Sequence, residues 1–447
     1  MTNRLCIIDV VGLTPALLRH APRIASLGAA SPFRSPLPAV TCTSQATMLT
    51  GLQPRDHGIV GNGWYYRDTQ EIRFWQQAHS LVGGEPLYQG IETAKLFWWF
   101  NQSAPVRWSA TPKPHYGSDG SKAFDIIDHT DCDLQTKLGP FPFFQFWGPT
   151  SGLASSRWIA DAAAITLRQN RPELTLVYLP HLDYDYQRLP DRDPARVAEV
   201  DTCVGTIIDA ADAIGARCVV VSEYGLVPVS RPVDINRSLR RAGWLTVRDG
   251  PFGEMLMPGE SRAFAVADHQ LAHVYVNDPT IHAEVGDRLR ALPGIAAVVP
   301  PTELGLDHPR SGEWIALAEP DSWFTYYYWL DESRAPDFAR CVDIHRKPGY
   351  DPCELFMTSK LRAMARLAQK KLGFRYRMDV IPLDPLLVRG SHGLHPDPEH
   401  GPVIVGPSPA AVTSSPGTAK TAAATPTGPP DDMLDFKRYA LNLLGRG

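Results

Sequence analysis

Thr41 is the residue best placed to do chemistry. It lies in the run PAVTCTSQATMLTG, residues 38–51, at the entrance to a stretch of helical character, and it follows an apolar run, 5–8, that closes on Asp9. In a parallel α/β sheet the carboxyl ends of the strands and the amino ends of the following helices line one crevice, where ligands bind. A hydroxyl there meets backbone N–H groups and the positive end of a helix dipole, which favour an anion. The pair reads as a phosphate-handling hydroxyl beside a metal-binding carboxylate. Each residue alone has a plainer use, since a strand-end Asp often caps a helix and a Thr in a Ser/Thr-rich loop often forms a turn.

Three further polar clusters shift that balance by their order. YLPHLDYDYQ, residues 178–187, follows a strand-like run; VVVSEYG, 219–225, ends another; GSHG, 390–393, opens the last. Together with Asp9, Thr41, Pro54 and His57-Gly58-Ile59, they resemble the alkaline phosphatase superfamily, and within it the type I phosphodiesterase/nucleotide pyrophosphatase family. That family carries a strand-end Asp, then T-x-x-N with a downstream T-G-x-x-P-x-x-H-G-I, then D-x-x-x-H, S-D-H-G and G-x-H-G. The resemblance implies two metal ions, zinc by family habit. Asp183, Gln187 and His392 would hold one; Asp9, Thr41, Glu223 and Tyr224 would hold the other. It also implies Thr41 as nucleophile.

The departures from the family pattern are specific. Gln187 and Tyr224 stand where the family has His, Glu223 where it has Asp, and Ser44 where it has a phosphate-binding Asn. A glutamine is a weak neutral ligand and a tyrosinate a hard anionic one, which favours iron or manganese over zinc. Every changed ligand position keeps an oxygen donor, so an altered metal preference is expected rather than loss of activity.

The resemblance implies an α/β, alkaline phosphatase-like fold, with a parallel-rich sheet, helices on both faces and an inserted cap. It implies a hydrolase of phosphoric ester or anhydride bonds working through a phosphothreonine. A diester or pyrophosphate ranks above a monoester because no Arg adjoins Thr41 to clamp a dianion. The alternatives are a phosphonoacetate-type C–P hydrolase or a phosphomonoesterase and, from another class, a binding protein on a degenerate site. Ser44 and Asn62 are candidate substrate contacts. So are Lys113 and His115, in a Pro/Gly-rich stretch flanked by Trp98, Trp99 and Trp108, with His345 and Lys347 as candidates from the cap.

The elements that must position these groups alternate as βαβ units. Strands are expected at 5–8, 174–179 and 217–222, and helices at 16–27, 44–50, 156–168 and 194–213. Core is expected over 1–226, an inserted cap over 227–384, core again over 385–406, a Pro/Ala/Thr linker over 407–430, and a terminal helix over 431–447. With 44 Lys and Arg against 48 Asp and Glu, no basic field exists to hold a nucleic-acid polymer, and no membrane partner is expected. A small phosphorylated substrate is. The seven cysteines include no C-x-x-C, which suits buried thiols. With no leader-like start and no apolar run long enough to span a bilayer, a cytoplasmic protein is expected.

Overall fold

A computed structural model of the chain describes residues 3–118, 122–190, 192–407 and 428–446. The strand Arg4–Val10 is apolar apart from Arg4 and Asp9, and every residue after Arg4 is buried. Such a run suits the interior of a parallel sheet covered on both faces. It lies between Leu174–Leu179 and Ala216–Val221, parallel to both. The full eight-stranded order is Ala29–Pro32, Val403–Gly406, Ala216–Val221, Arg4–Val10, Leu174–Leu179, Thr93–Leu96, Trp108–Tyr116 and Lys122–Asp128. The five inner strands from Ala216–Val221 to Trp108–Tyr116 run parallel, and the outer ones pair antiparallel.

Helices Leu153–Asn170 and Pro194–Asp212 pack on each other beside this sheet. The second begins where Asp193 accepts from the Ala195 N–H, with Pro194 at the first helical position. Proline belongs there because that N–H would have no partner in the helix anyway. The helix expected over 16–27 is instead a 3₁₀ turn, Pro15–His20, and a short helix, Pro22–Ala25. Pro22 has no N–H to continue the first turn, so the chain restarts there.

A second sheet, antiparallel throughout, has the order Ala263–Asp268, Leu271–Val276, Trp314–Ala318, Ile295–Val299 and its own apolar core. Its first two strands are joined by His269 and Gln270, with His269 at φ 62°. The Gln270 N–H donates to the His392 carbonyl at 2.9 Å, which ties this hairpin tip to the GSHG loop. The expected linker, 407–430, lies almost wholly outside the described residues. The helix Phe436–Leu444 packs against Thr41–Thr50 and the first strand.

Candidate active site

Register brings the polar clusters together. Asp9 lies opposite Tyr178 on one side and Val221 on the other, so Asp9, the segment after Leu179 and the segment after Val221 emerge at one edge of the sheet. Thr41 opens the helix Thr41–Thr50, all of it buried, at the same edge. Two close backbone approaches need glycine there. A Cβ on Gly225 would lie 1.8 Å from the His400 carbonyl oxygen, and one on Gly390 would lie 2.2 Å from that of Tyr186.

Four buried side chains share one pattern, in which one polar atom is tied outward and its companion is free. Gln45 donates from Nε2 to Asp9 Oδ2 at 3.2 Å and to Glu223 Oε1 at 2.6 Å, leaving Asp9 Oδ1 and Glu223 Oε2 without partners. Gln187 donates to Asp183 Oδ2 at 2.7 Å, leaving Asp183 Oδ1 free. His392 gives its Nδ1–H to the Ala39 carbonyl at 2.7 Å, leaving Nε2 free and 3.8 Å from Asp183 Oδ1. Metal ligands are held in this way, with an outer hydrogen bond fixing each donor's orientation.

The electrostatics agree. Burial raises the Asp183 carboxyl to about 8, and burial followed by the charge of Glu223 pushes Asp9 well above the carboxylate range. Burial lowers His392 to about 3, which keeps the imidazole neutral. Among the described residues no Lys or Arg pairs with Asp9, Asp183 or Glu223. Three buried carboxylates without a cationic side chain are costly unless protons or a bound cation neutralise them.

A pair of zinc ions fits the set poorly. Gln187 Oε1 accepts from the Tyr350 hydroxyl at 2.8 Å, which turns its amide nitrogen, not its oxygen, toward Asp183. Tyr224 lies flat on His392, ring centroids 3.5 Å apart and planes 5° off parallel, with its hydroxyl 3.3 Å from Thr41 Oγ1. Burial, then Asp183 and Glu223, push its phenol well above its ordinary range. Among the described residues no three His, Cys, Asp or Glu side chains surround one point closely enough for a metal. The donors therefore stand as two pairs, Asp9 with Glu223 and Asp183 with His392.

The other expected contacts divide. The Ser44 hydroxyl, in the first turn after Thr41, donates to the Glu223 carbonyl at 3.3 Å. Asn62 accepts from the Cys42 N–H at 3.0 Å and donates from Nδ2 to Asp268 Oδ1 at 3.1 Å. Lys113 and His115 lie on Trp108–Tyr116 opposite Asp125 and Ala123, toward the sheet's outer edge, and no hydrogen bond among the described residues joins them to the cluster. Lys347 is buried between Asp351 and Glu354, 2.7 Å from each, so its charge is already paired.

Sequence reasoning missed Gln45, Asp268, His269 and Tyr350 as parts of this site. Gln45 had a usable signal, because it is four residues after Thr41 on one helix and so shares its face. Its Oε1 accepts from the Trp99 N–H at 2.8 Å, which fixes the amide with nitrogen toward the carboxylates. The segment around Trp99 is held by the buried ammonium of Lys95, which donates to the Trp99 and Phe100 carbonyls at 2.7 and 2.9 Å. His269 had no such signal. It stacks between Tyr350, at 3.7 Å, and His392, at 3.6 Å, and only the second sheet brings it there.

The fold and the family have counterparts among known proteins. Over the whole chain the fold is similar to phosphonoacetate hydrolase from Sinorhizobium meliloti 1021 solved with phosphonoformate, at 16% identity and TM-score 0.59, covering 99% of this chain and 96% of that one. It is also similar to murine ectonucleotide pyrophosphatase/phosphodiesterase 5, at 13% identity and TM-score 0.53, covering 99% and 95%. The human form of that protein gives 12% identity and TM-score 0.55 with the same coverage. At such identities the likeness establishes the fold, an α/β alkaline phosphatase-like one. The family model for type I phosphodiesterase/nucleotide pyrophosphatase matches residues 5–351, over three quarters of the sequence. The chain therefore belongs to the type I phosphodiesterase/nucleotide pyrophosphatase family, a group of metal-dependent hydrolases within the alkaline phosphatase superfamily.

Proposed function

We propose that this chain hydrolyses a phosphodiester or pyrophosphate bond through Thr41. Asp9 and Glu223 would hold a cation beside Thr41, and Asp183 with His392 would face the same space. The observation that carries the reading is the set of four free, buried donor atoms, each with its companion atom tied outward. Such a cation would neutralise the phosphoryl oxygens and lower the pKa of the attacking hydroxyl. Gln187 and Tyr224 then act as supports, Gln187 by orienting Asp183 and Tyr224 by seating His392 and reaching Thr41.

Thr41 lies at a helix amino end, where N–H groups favour the phosphoryl anion. In the proposed step Thr41 Oγ1 forms the new P–O bond and the bond to the leaving oxygen breaks. The hydroxyl proton is lost to solvent, and the departing oxygen takes a proton from solvent. Water then attacks the phosphothreonine and releases Thr41. The absence of any Lys or Arg hydrogen-bonded into this cluster, among the described residues, supports a monoanionic diester over a dianionic monoester.

The test is a panel of bis-p-nitrophenyl phosphate, p-nitrophenyl phosphate and phosphonoacetate, run on protein of measured metal content and on Thr41→Ala. Diester turnover is expected to exceed the other two, and Thr41→Ala to lose roughly 10⁴-fold or more, as nucleophile deletions do. A metal-loaded protein that turns over none of the three, or a Thr41→Ala variant at the parent rate, sinks the reading.

A further inference from the structure

The helix Lys360–Lys371 is docked with the wrong face inward. None of its residues is buried. At 100° per residue, Arg362, Ala363, Arg366 and Gln369 fall on one side, and that side meets the protein. Arg362 and Arg366 both pair with Asp379, at 2.5 and 2.8 Å, and Ala363 packs against Val380 and its neighbours. The opposite side carries Leu361, Met364, Leu367 and Leu372, which are 53–77% exposed, and Phe374 continues it at 64%. An amphipathic helix ordinarily buries its apolar stripe and shows its charges, and this one does the reverse.

The charge around the stripe says what would cover it. Residues 355–378 contain Lys360, Arg362, Arg366, Lys370, Lys371, Arg375 and Arg377 and not one Asp or Glu, in a chain whose net charge is −4. Lys360 and Lys371 stand at the two ends of the apolar stripe and on its side of the helix. A second copy of the chain is a poor occupant, because a two-fold interface would set this basic segment against itself with no acid in it to compensate. We propose that this helix lies on an anionic lipid bilayer, with the leucines and Met364 among the acyl chains and the Lys and Arg side chains at the headgroups. No helix among the described residues is long and apolar enough to cross a membrane, so the contact is with the surface. Whole-chain charge conceals this, because the acidic excess lies elsewhere.

Vesicle co-sedimentation of the full chain tests it. Phosphatidylcholine vesicles containing phosphatidylserine are expected to carry down at least ten-fold more protein than pure phosphatidylcholine, and molar salt should release most of it. The triple variant Leu361→Ser, Met364→Ser, Leu367→Ser and the double variant Lys360→Glu, Lys371→Glu should each lose that binding while keeping the parent's circular dichroism and turnover. Equal sedimentation with both vesicle types, none with either, or full binding by the triple variant overturns the proposal. A parent dimer that the triple variant converts to a monomer assigns the face to a second copy, and that also overturns it.

Discussion

Asp268 offers a measurement of the electrostatics behind the site. Its carboxylate is buried on the hairpin strand Ala263–Asp268 and accepts from the Asn62 N–H at 2.7 Å and from Asn62 Nδ2 at 3.1 Å. Burial raises its pKa from 3.8 to about 7, against the lowering effect of those two hydrogen bonds. Below pH ~4 the group is protonated in both the folded and unfolded chain and contributes no penalty. Between about 4 and 7 the unfolded chain sheds the proton while the folded one keeps it, so stability falls as pH rises. Above about 7 both are ionised and the full penalty stands, roughly three pKa units or about 4 kcal/mol at 1.36 kcal/mol per unit. Asp268→Asn removes the titration. It also turns one hydrogen bond to Asn62 into a donor facing a donor, a pH-independent cost of about 1–3 kcal/mol. Urea unfolding of parent and variant from pH 4 to pH 8 separates the two effects, since the buried histidines titrate alike in both proteins and cancel in the difference. The parent is expected to lose about 3–4 kcal/mol relative to the variant as pH rises. Curves that stay parallel to within about 1 kcal/mol would refute the assignment of Asp268 as a buried, largely uncompensated carboxylate.

Two more outcomes follow from the geometry around the site. Gln187→His replaces an amide nitrogen that faces Asp183 with an imidazole, completing a three-donor set with Asp183 and His392. Metal content by mass spectrometry should rise by about one equivalent per chain, and an unchanged content would show that Gln187 is not what withholds the third donor. Lys347→Met strips the cation from a fully buried cluster and leaves Asp351 and Glu354 uncompensated. It should destabilise the protein by about 3–5 kcal/mol in urea unfolding, whereas a loss under about 1 kcal/mol would mean that water already solvates those carboxylates.

The residues around Thr41 belonged to the readable part of the chain because each sits where local rules act. Apolar runs closing on Asp9, Leu179 and Val221 announce buried parallel strands, and polar residues just past such strands must gather at one sheet edge whatever the loops do. The order of Asp9, Thr41, Asp183, Glu223 and His392 thus already implied one crevice, and the resemblance of these motifs to a known family implied phosphoryl handling. Side-chain orientation was not readable. Whether Gln187 presents oxygen or nitrogen to Asp183 depends on the Tyr350 hydroxyl, 163 residues away. The amide of Gln45 is likewise set by the Trp99 N–H. The roles of Asp268 and His269 depend on a second sheet whose hairpin tip reaches the GSHG loop. The apolar residues of Lys360–Lys371 have the spacing of a buried helix face, yet the side that meets the protein is the one whose Arg362 and Arg366 pair with Asp379. Periodicity fixes which residues share a face; which way the face points is a matter of long-range partners, and those exist only once the chain has folded.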